Sequence, residues 1–115
     1  MSQSSLPSVE SILTTFTDAL FIFRQEGKIE WANPAAEQMV GRSLPLIRDA
    51  HFRDFFSEDQ TLANGLQRVL EERISITEHE TWFTPPHKEA LPVGASINAI
   101  ETDQDQGGAV LILRD

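Results

Sequence analysis

The sequence has no cysteine in its 115 residues. That removes disulfides, thiolate nucleophiles, cysteine-ligated metals and covalent haem attachment together. Basic residues are scarce: 9 Lys and Arg stand against 18 Asp and Glu, for a net charge of -9. A phosphate-binding face needs clustered positive charge, and no basic run supplies it, so neither nucleic acid nor an anionic membrane surface is an expected partner. Long apolar runs are missing too. The longest, Ala19 to Phe23 and Ala109 to Leu113, are strand-sized and too short to cross a bilayer. Met1-Ser2-Gln3-Ser4-Ser5 lacks a basic region followed by an apolar core, so the expected location is the cytoplasm, even if a parent protein is membrane-anchored. Finally, there is neither a Gly-x-Ser-x-Gly turn nor a glycine-rich phosphate loop. No enzymatic activity is expected of this segment.

What is present is one domain's worth of alternating patterns. Val9, Ile12, Leu13 and Phe16 recur at i, i+3, i+4 and i+7 behind Pro7 and Ser8, which predicts an amphipathic helix ahead of the main body, over 1–16. The main body, 17–115, starts with the apolar strand Ala19–Phe23, a turn at Gln25-Glu26-Gly27 and a returning strand Lys28–Trp31. Asn33-Pro34 then marks a switch. Asn33 can accept from the orphan amides of a helix start, Pro34 suits the first helical position, and Gly41 suits the left-handed residue that ends a two-turn helix.

Between Arg42 and Phe56 no single period holds, which predicts one-turn helices and loops forming a lid. Ser57-Glu58-Asp59-Gln60 reads as a capping box with acids in the first turn of a helix reaching about Arg73. Strands are predicted at Ile74–Thr84 and from Leu91 to Ala99, with Pro85-Pro86-His87-Lys88-Glu89 turning between them. Asp103 to Gly108 reads as a polar turn before the last strand, Ala109–Leu113.

This order, with "DALFIFRQEGKIEWANPAAEQMVGRSL" as its most specific stretch, resembles the PAS domain family of sensor modules. It is similar to the PAS domains of nitrogen- and phosphate-regulation sensor kinases. Asn33 matches the asparagine heading the family's first helix, and Gly41 to Leu44 its Gly-x-x-Leu segment. Arg114-Asp115 falls where the family's last strand commonly ends in an Asp that starts a linker helix. The chain departs from the family at Pro85-Pro86-His87-Lys88, where Asp-Gly is usual. The resemblance implies an α+β fold, with a five-stranded antiparallel sheet and helices packed on one face. It also implies a sensing role that relays ligand or partner binding to a C-terminal effector, most simply a bacterial histidine kinase. The alternatives are a dimerisation or docking module with a filled core, or the PAS domain of a sigma-54-type activator or a cyclic-dinucleotide enzyme.

The same resemblance places a small-molecule cavity between the concave sheet face and the lid. Its candidate walls are Phe21, Phe23, Met39, Leu44, Phe52, Phe56, Leu66, Val93 and Ile97, each of which is equally an ordinary core residue. Ser96 and Asn98 fall on the opposite strand face and would not line that wall. Haem is disfavoured, because the long helix carries no His and His51 precedes it. A covalent flavin would need a cysteine; a non-covalent one could use Trp31 or Trp82 as a stacking partner. His51, His79 and His87 lie in three different elements, so no metal site is expected. Val9, Ile12, Leu13 and Phe16 either pack on the chain's own sheet or form the seam of a homodimer.

Overall fold

A computed structural model of the chain describes residues 9, 12, 17–56, 59–86, 88–101 and 107–114. Five antiparallel strands form one sheet: β1 (Ala19–Arg24), β2 (Ile29–Ala32), β3 (Ile76–Phe83), β4 (Leu91–Glu101) and β5 (Gly107–Arg114), in the order β2-β1-β5-β4-β3. The central place falls to β5, the most continuously apolar strand. It pairs with β1 from Ala19–Leu113 to Arg24–Gly108 and with β4 from Gly94–Arg114 to Glu101–Gly107. A strand flanked on both sides has no free edge, and the apolar run suits that position.

Between β2 and β3 lie α1 (Pro34–Val40), α2 (Leu44–Ile47), α3 (Arg53–Phe56) and α4 (Gln60–Glu72). The two one-turn helices expected between Arg42 and Phe56 are α2 and α3. Residues 19, 21 and 23 of β1, 109, 111 and 113 of β5 and 93, 95 and 97 of β4 are buried together with the inward residues of the helices. This is the period-two alternation of a sheet with one face covered. On the opposite face Ile22, Ser96, Asn98, Val110 and Ile112 are half-buried.

Strand β3 runs Ile76–Phe83 rather than over the expected Ile74–Thr84, and β4 continues past Ala99 to Glu101; three further differences from the sequence reading have a physical reason. Helix α4 begins at Gln60 with Asp59 at its N-cap, and no acid lies in its first turn. The expected capping box needs Gln60 at the third helical position, whereas it is the first. The Asp59 side chain does not cap the helix either, because its carboxylate accepts from the Thr84 amide at 3.1 Å and the Thr84 hydroxyl at 2.9 Å. Ser57 and Glu58 lie outside the described residues. The second strand is shifted by one residue, because Lys28 instead forms a bridge with His51. Gly107 and Gly108, read as turn, open β5.

Gly108 belongs in the strand because β1 runs so close beside it. A Cβ there would lie 2.4 Å from the Phe23 carbonyl oxygen, whereas one on Gly107 would meet only the ends of Gln25 and Arg73 side chains. Gly108→Ala is therefore expected to cost about 1–3 kcal/mol of stability, the range of an overpacked core site. Gly107→Ala should cost well under half as much, because flexible side chains can move away. Urea denaturation of the two variants checks the contrast; equal losses would show that the β1–β5 spacing is not the constraint.

Candidate functional site

The strand-to-helix switch is a hub. Asn33 is fully buried. Its Oδ1 accepts from the Ala36 amide at 2.9 Å, capping α1, and from the Leu20 amide at 3.0 Å. Its Nδ2 donates to the Asp18 carbonyl at 2.9 Å. Pro34 occupies the first turn of α1, and Gly41 closes that helix at φ 74°, donating its N–H to the Glu37 carbonyl. One side chain thus ties the entry of β1 to the start of α1.

Of the nine candidate wall residues, Phe21, Phe23, Phe52, Phe56, Leu66, Val93 and Ile97 are buried in one core, and Met39 and Leu44 are half-buried against it. Five phenylalanine rings lie in a chain of contacts through the middle. Phe52 meets Phe23 at 6.2 Å between ring centres, Phe56 meets Phe21 at 6.0 Å and Phe83 at 5.6 Å. Phe21 and Phe23 stack at 6.1 Å. Ring contacts at these distances set protein atoms across the space between sheet and lid.

Three clefts lie at the margins. One cleft, about 700 Å³, separates α2 and α3 from the β3–β4 loop and is lined by residues including Leu46, Phe55, Pro85 and Lys88. A second, about 460 Å³, runs beside the entry of β1 and includes Met39, Leu91 and Leu113. A third, about 370 Å³, lies between α4 and β3–β4 and includes Leu62, His79 and Ile97. Only Met39 and Ile97 of the nine candidates face these three clefts. Sequence reading missed the first cleft because its walls come from an aperiodic lid and a loop; the signal that could have found it is the Pro85-Pro86 pair next to Lys88.

The two described histidines lie in different elements. His51 stacks on Phe52 at 4.4 Å, and its Nδ1 accepts from the Arg53 amide at 3.2 Å; His79 lines the third cleft; His87 lies outside the described residues. Among the described residues, no group of three His, Asp or Glu is placed to hold a metal ion. Trp82 is 59% exposed on the edge strand, and Trp31 is half-buried opposite Ile22. The densest charge cluster surrounds Arg24, which pairs with Glu26, Glu30 and Asp49, the last at 2.7 Å. The hydrogen bond to Asp49 is the main reason the guanidinium is held above its ordinary pKa. This cluster pins the β1–β2 hairpin to the lid at the surface.

Val9 and Ile12 are helical and exposed, at 72% and 43%. Leu13, Phe16 and Asp115 lie outside the described residues. At the other end, Asp18 and Arg114 form an ion pair at 3.4 Å beside the Ala19–Leu113 pairing. The chain therefore enters and leaves the sheet side by side. No helix among the described residues is long and apolar enough to cross a membrane.

The family model described as "PAS fold" matches residues 13–115. No curated protein matches the chain. Among solved structures, the chain is similar to the PAS domain of nitrogen regulation protein NR(II) from Vibrio parahaemolyticus, with 23% identity, 95% of this chain and 100% of that one covered, and a TM-score of 0.73. It is similar to a PAS domain from a two-component sensor histidine kinase at 15% identity, covering 91% and 90%, with a TM-score of 0.72. A PAS domain of an HTR-like protein from Haloarcula marismortui gives 14% identity, 93% coverage of each chain and 0.72. At such identities the likeness is one of fold.

Proposed function

This chain belongs to the PAS family, and we propose that it is a signal-sensing domain that relays ligand or partner binding to an effector following Asp115. The observation that carries this reading is the adjacency of entry and exit. Asp18 and Arg114 are ion-paired, and Asn33 reaches from α1 to the same corner. A ligand or partner that prefers one packing of lid and core would shift the population of chain directions at that corner.

We favour a sensor histidine kinase as the parent, on the support of fold neighbours that include PAS domains of such kinases. The kinase would transfer phosphate from ATP to a histidine on a segment beyond Asp115. A sigma-54-type activator and a cyclic-dinucleotide enzyme are the competing parents. Arg114→Glu in the parent is expected to change its autophosphorylation rate several-fold, as coupling energies of this kind do, while leaving the domain's melting temperature close to the original. A parent without phosphohistidine would overturn the kinase assignment. A rate unmoved by this substitution would overturn the relay through the corner.

A second reading follows from the ring packing: the domain docks or dimerises, and its input arrives at the surface rather than in the core. The exposed Val9 and Ile12 support a homodimer through the N-terminal helix. Ile12→Glu is expected to convert a sedimenting dimer to monomer with little change in thermal stability. A parent chain that sediments as a monomer, or a dimer indifferent to the substitution, would exclude that seam.

A further inference from the structure

The nine Lys and Arg residues divide unevenly. Arg24, Arg68, Arg73 and Arg114 are in ion pairs. Arg48 donates to the Glu30 carbonyl and Arg53 to Gln67. The side chains of Lys28, Arg42 and Lys88 have no such partner among the described residues, and two of these three, Arg42 and Lys88, line the same cleft. Lys88 also lines the second cleft, but the first is where two cations with no ion pair among the described residues come together, in a chain of net charge -9.

Both cations stand on hydrogen-bonded backbone. Arg42 follows the left-handed Gly41, and its amide donates to the Glu37 carbonyl at 3.1 Å. The Lys88 amide donates to the Pro85 carbonyl at 3.1 Å, and Thr84 at the base of that loop is held by buried Asp59. Between them the cleft offers an apolar surface, chiefly Leu46, exposed at 73%, and half-buried Phe55, with buried Pro85 behind them. Its two acids limit what fits. Asp54 is engaged with the His51 amide at 3.3 Å, whereas Glu89 lies beside Lys88 and would repel a second negative group. The volume, about 700 Å³, falls within the range of roughly 300–1,000 Å³ usual for small-molecule sites.

We infer that this cleft binds an organic monocarboxylate with an apolar body, its carboxylate between Arg42 and Lys88 and its body against Leu46, Phe55 and Pro85. Guanidinium and ammonium donors give charge-assisted bonds to one carboxylate, and the apolar wall gains from covering exposed hydrophobic surface. The site lies outside the phenylalanine-filled core and is independent of which effector follows the domain.

The test is a titration of the ¹⁵N-labelled chain with 4-phenylbutyrate, followed by amide chemical shifts. Saturable shifts are expected at Arg42, Leu46, Phe55 and Lys88. Replacing the ligand by uncharged 4-phenylbutyramide, or the chain by an Arg42→Gln/Lys88→Gln double variant, is expected to weaken binding at least about tenfold, as loss of a charged contact does. The dicarboxylate glutarate is expected to bind more weakly by a similar factor, because it lacks the apolar body and sets a second charge near Glu89. The variant's melting curve confirms that it is folded, since both side chains are exposed. No saturation, equal binding of the amide or of the double variant, or shifts confined to core residues such as Phe21 and Leu111 would each overturn the proposal. Because the titration uses this chain alone, its failure leaves the kinase relay to be judged by its own phosphorylation assay.

Discussion

Phe56→Ala lowers the stability of this domain by about 3–5 kcal/mol, the range for deleting a buried aromatic ring that leaves a cavity. The size follows from position. Phe56 is fully buried at the end of α3 and touches Phe21 on the sheet and Phe83 at the end of β3, so its ring joins lid to sheet. Phe55, its neighbour, is only half-buried and faces the large cleft. Phe55→Ala should cost less than half as much. Urea midpoints measure both, because truncations leave the denaturant slope largely set by domain size. The Phe56→Ala variant should also gain thermal stability from benzene, since an apolar cavity stays dry and accepts such a probe. The parent chain should not, because rings already fill that space. A loss below about 1.5 kcal/mol, or stabilisation of the parent by benzene, would mean that the core encloses room for a ligand after all.

The sequence made this core legible but not its fullness. Alternation in β1, β4 and β5 and the spacing of Leu62, Leu66, Val69 and Leu70 in α4 identify which side chains point inward, because burial enforces period. Periodicity reports direction, whereas a cavity depends on how rings meet. Phe52, Phe56 and Phe83 come from a lid and a strand end whose relative placement no local pattern encodes. The same limit applies to Asp59. Ser57-x-x-Gln60 satisfies a local rule, but the helix starts after Asp59, whose side-chain partner, Thr84, is 25 residues away. Gly107 and Gly108 read as turn because glycine and polar residues share that composition; their strand role depends on the closeness of Phe23 across the sheet. The large cleft was invisible for a related reason, being formed where the aperiodic lid meets the departure from the family pattern at Pro85-Pro86. Asn33-Pro34 and Gly41 were legible because helix starts and stops are encoded within a few residues.

Asn33→Ala is expected to cost a further large amount, about 3–5 kcal/mol, and by a different mechanism. Truncation leaves the Leu20 and Ala36 amides and the Asp18 carbonyl without the bonds that Asn33 makes to them. Each buried polar group stranded in this way costs about 1–3 kcal/mol, and the coupled set adds to less than its separate parts. An ordinary exposed N-cap loses only about 1 kcal/mol on the same change, so the excess measures what Asn33 does for β1. Hydrogen exchange separates the two contributions. If the hub is real, the Leu20 amide loses protection together with that of Ala36, although the two residues lie in different elements. Faster exchange at Ala36 alone, with a stability loss near 1 kcal/mol, would reduce Asn33 to a helix cap. The functional consequence follows from geometry. Asp18 receives the Asn33 amide through its carbonyl and pairs with Arg114 through its carboxylate, so loosening Asn33 loosens the corner through which the chain enters and leaves. In the parent protein the conservative Asn33→Asp change keeps both accepted bonds but sets a carboxylate oxygen against the Asp18 carbonyl. It should therefore disturb the output of the effector at temperatures where the domain remains folded, the result that distinguishes a relay position from a purely structural one.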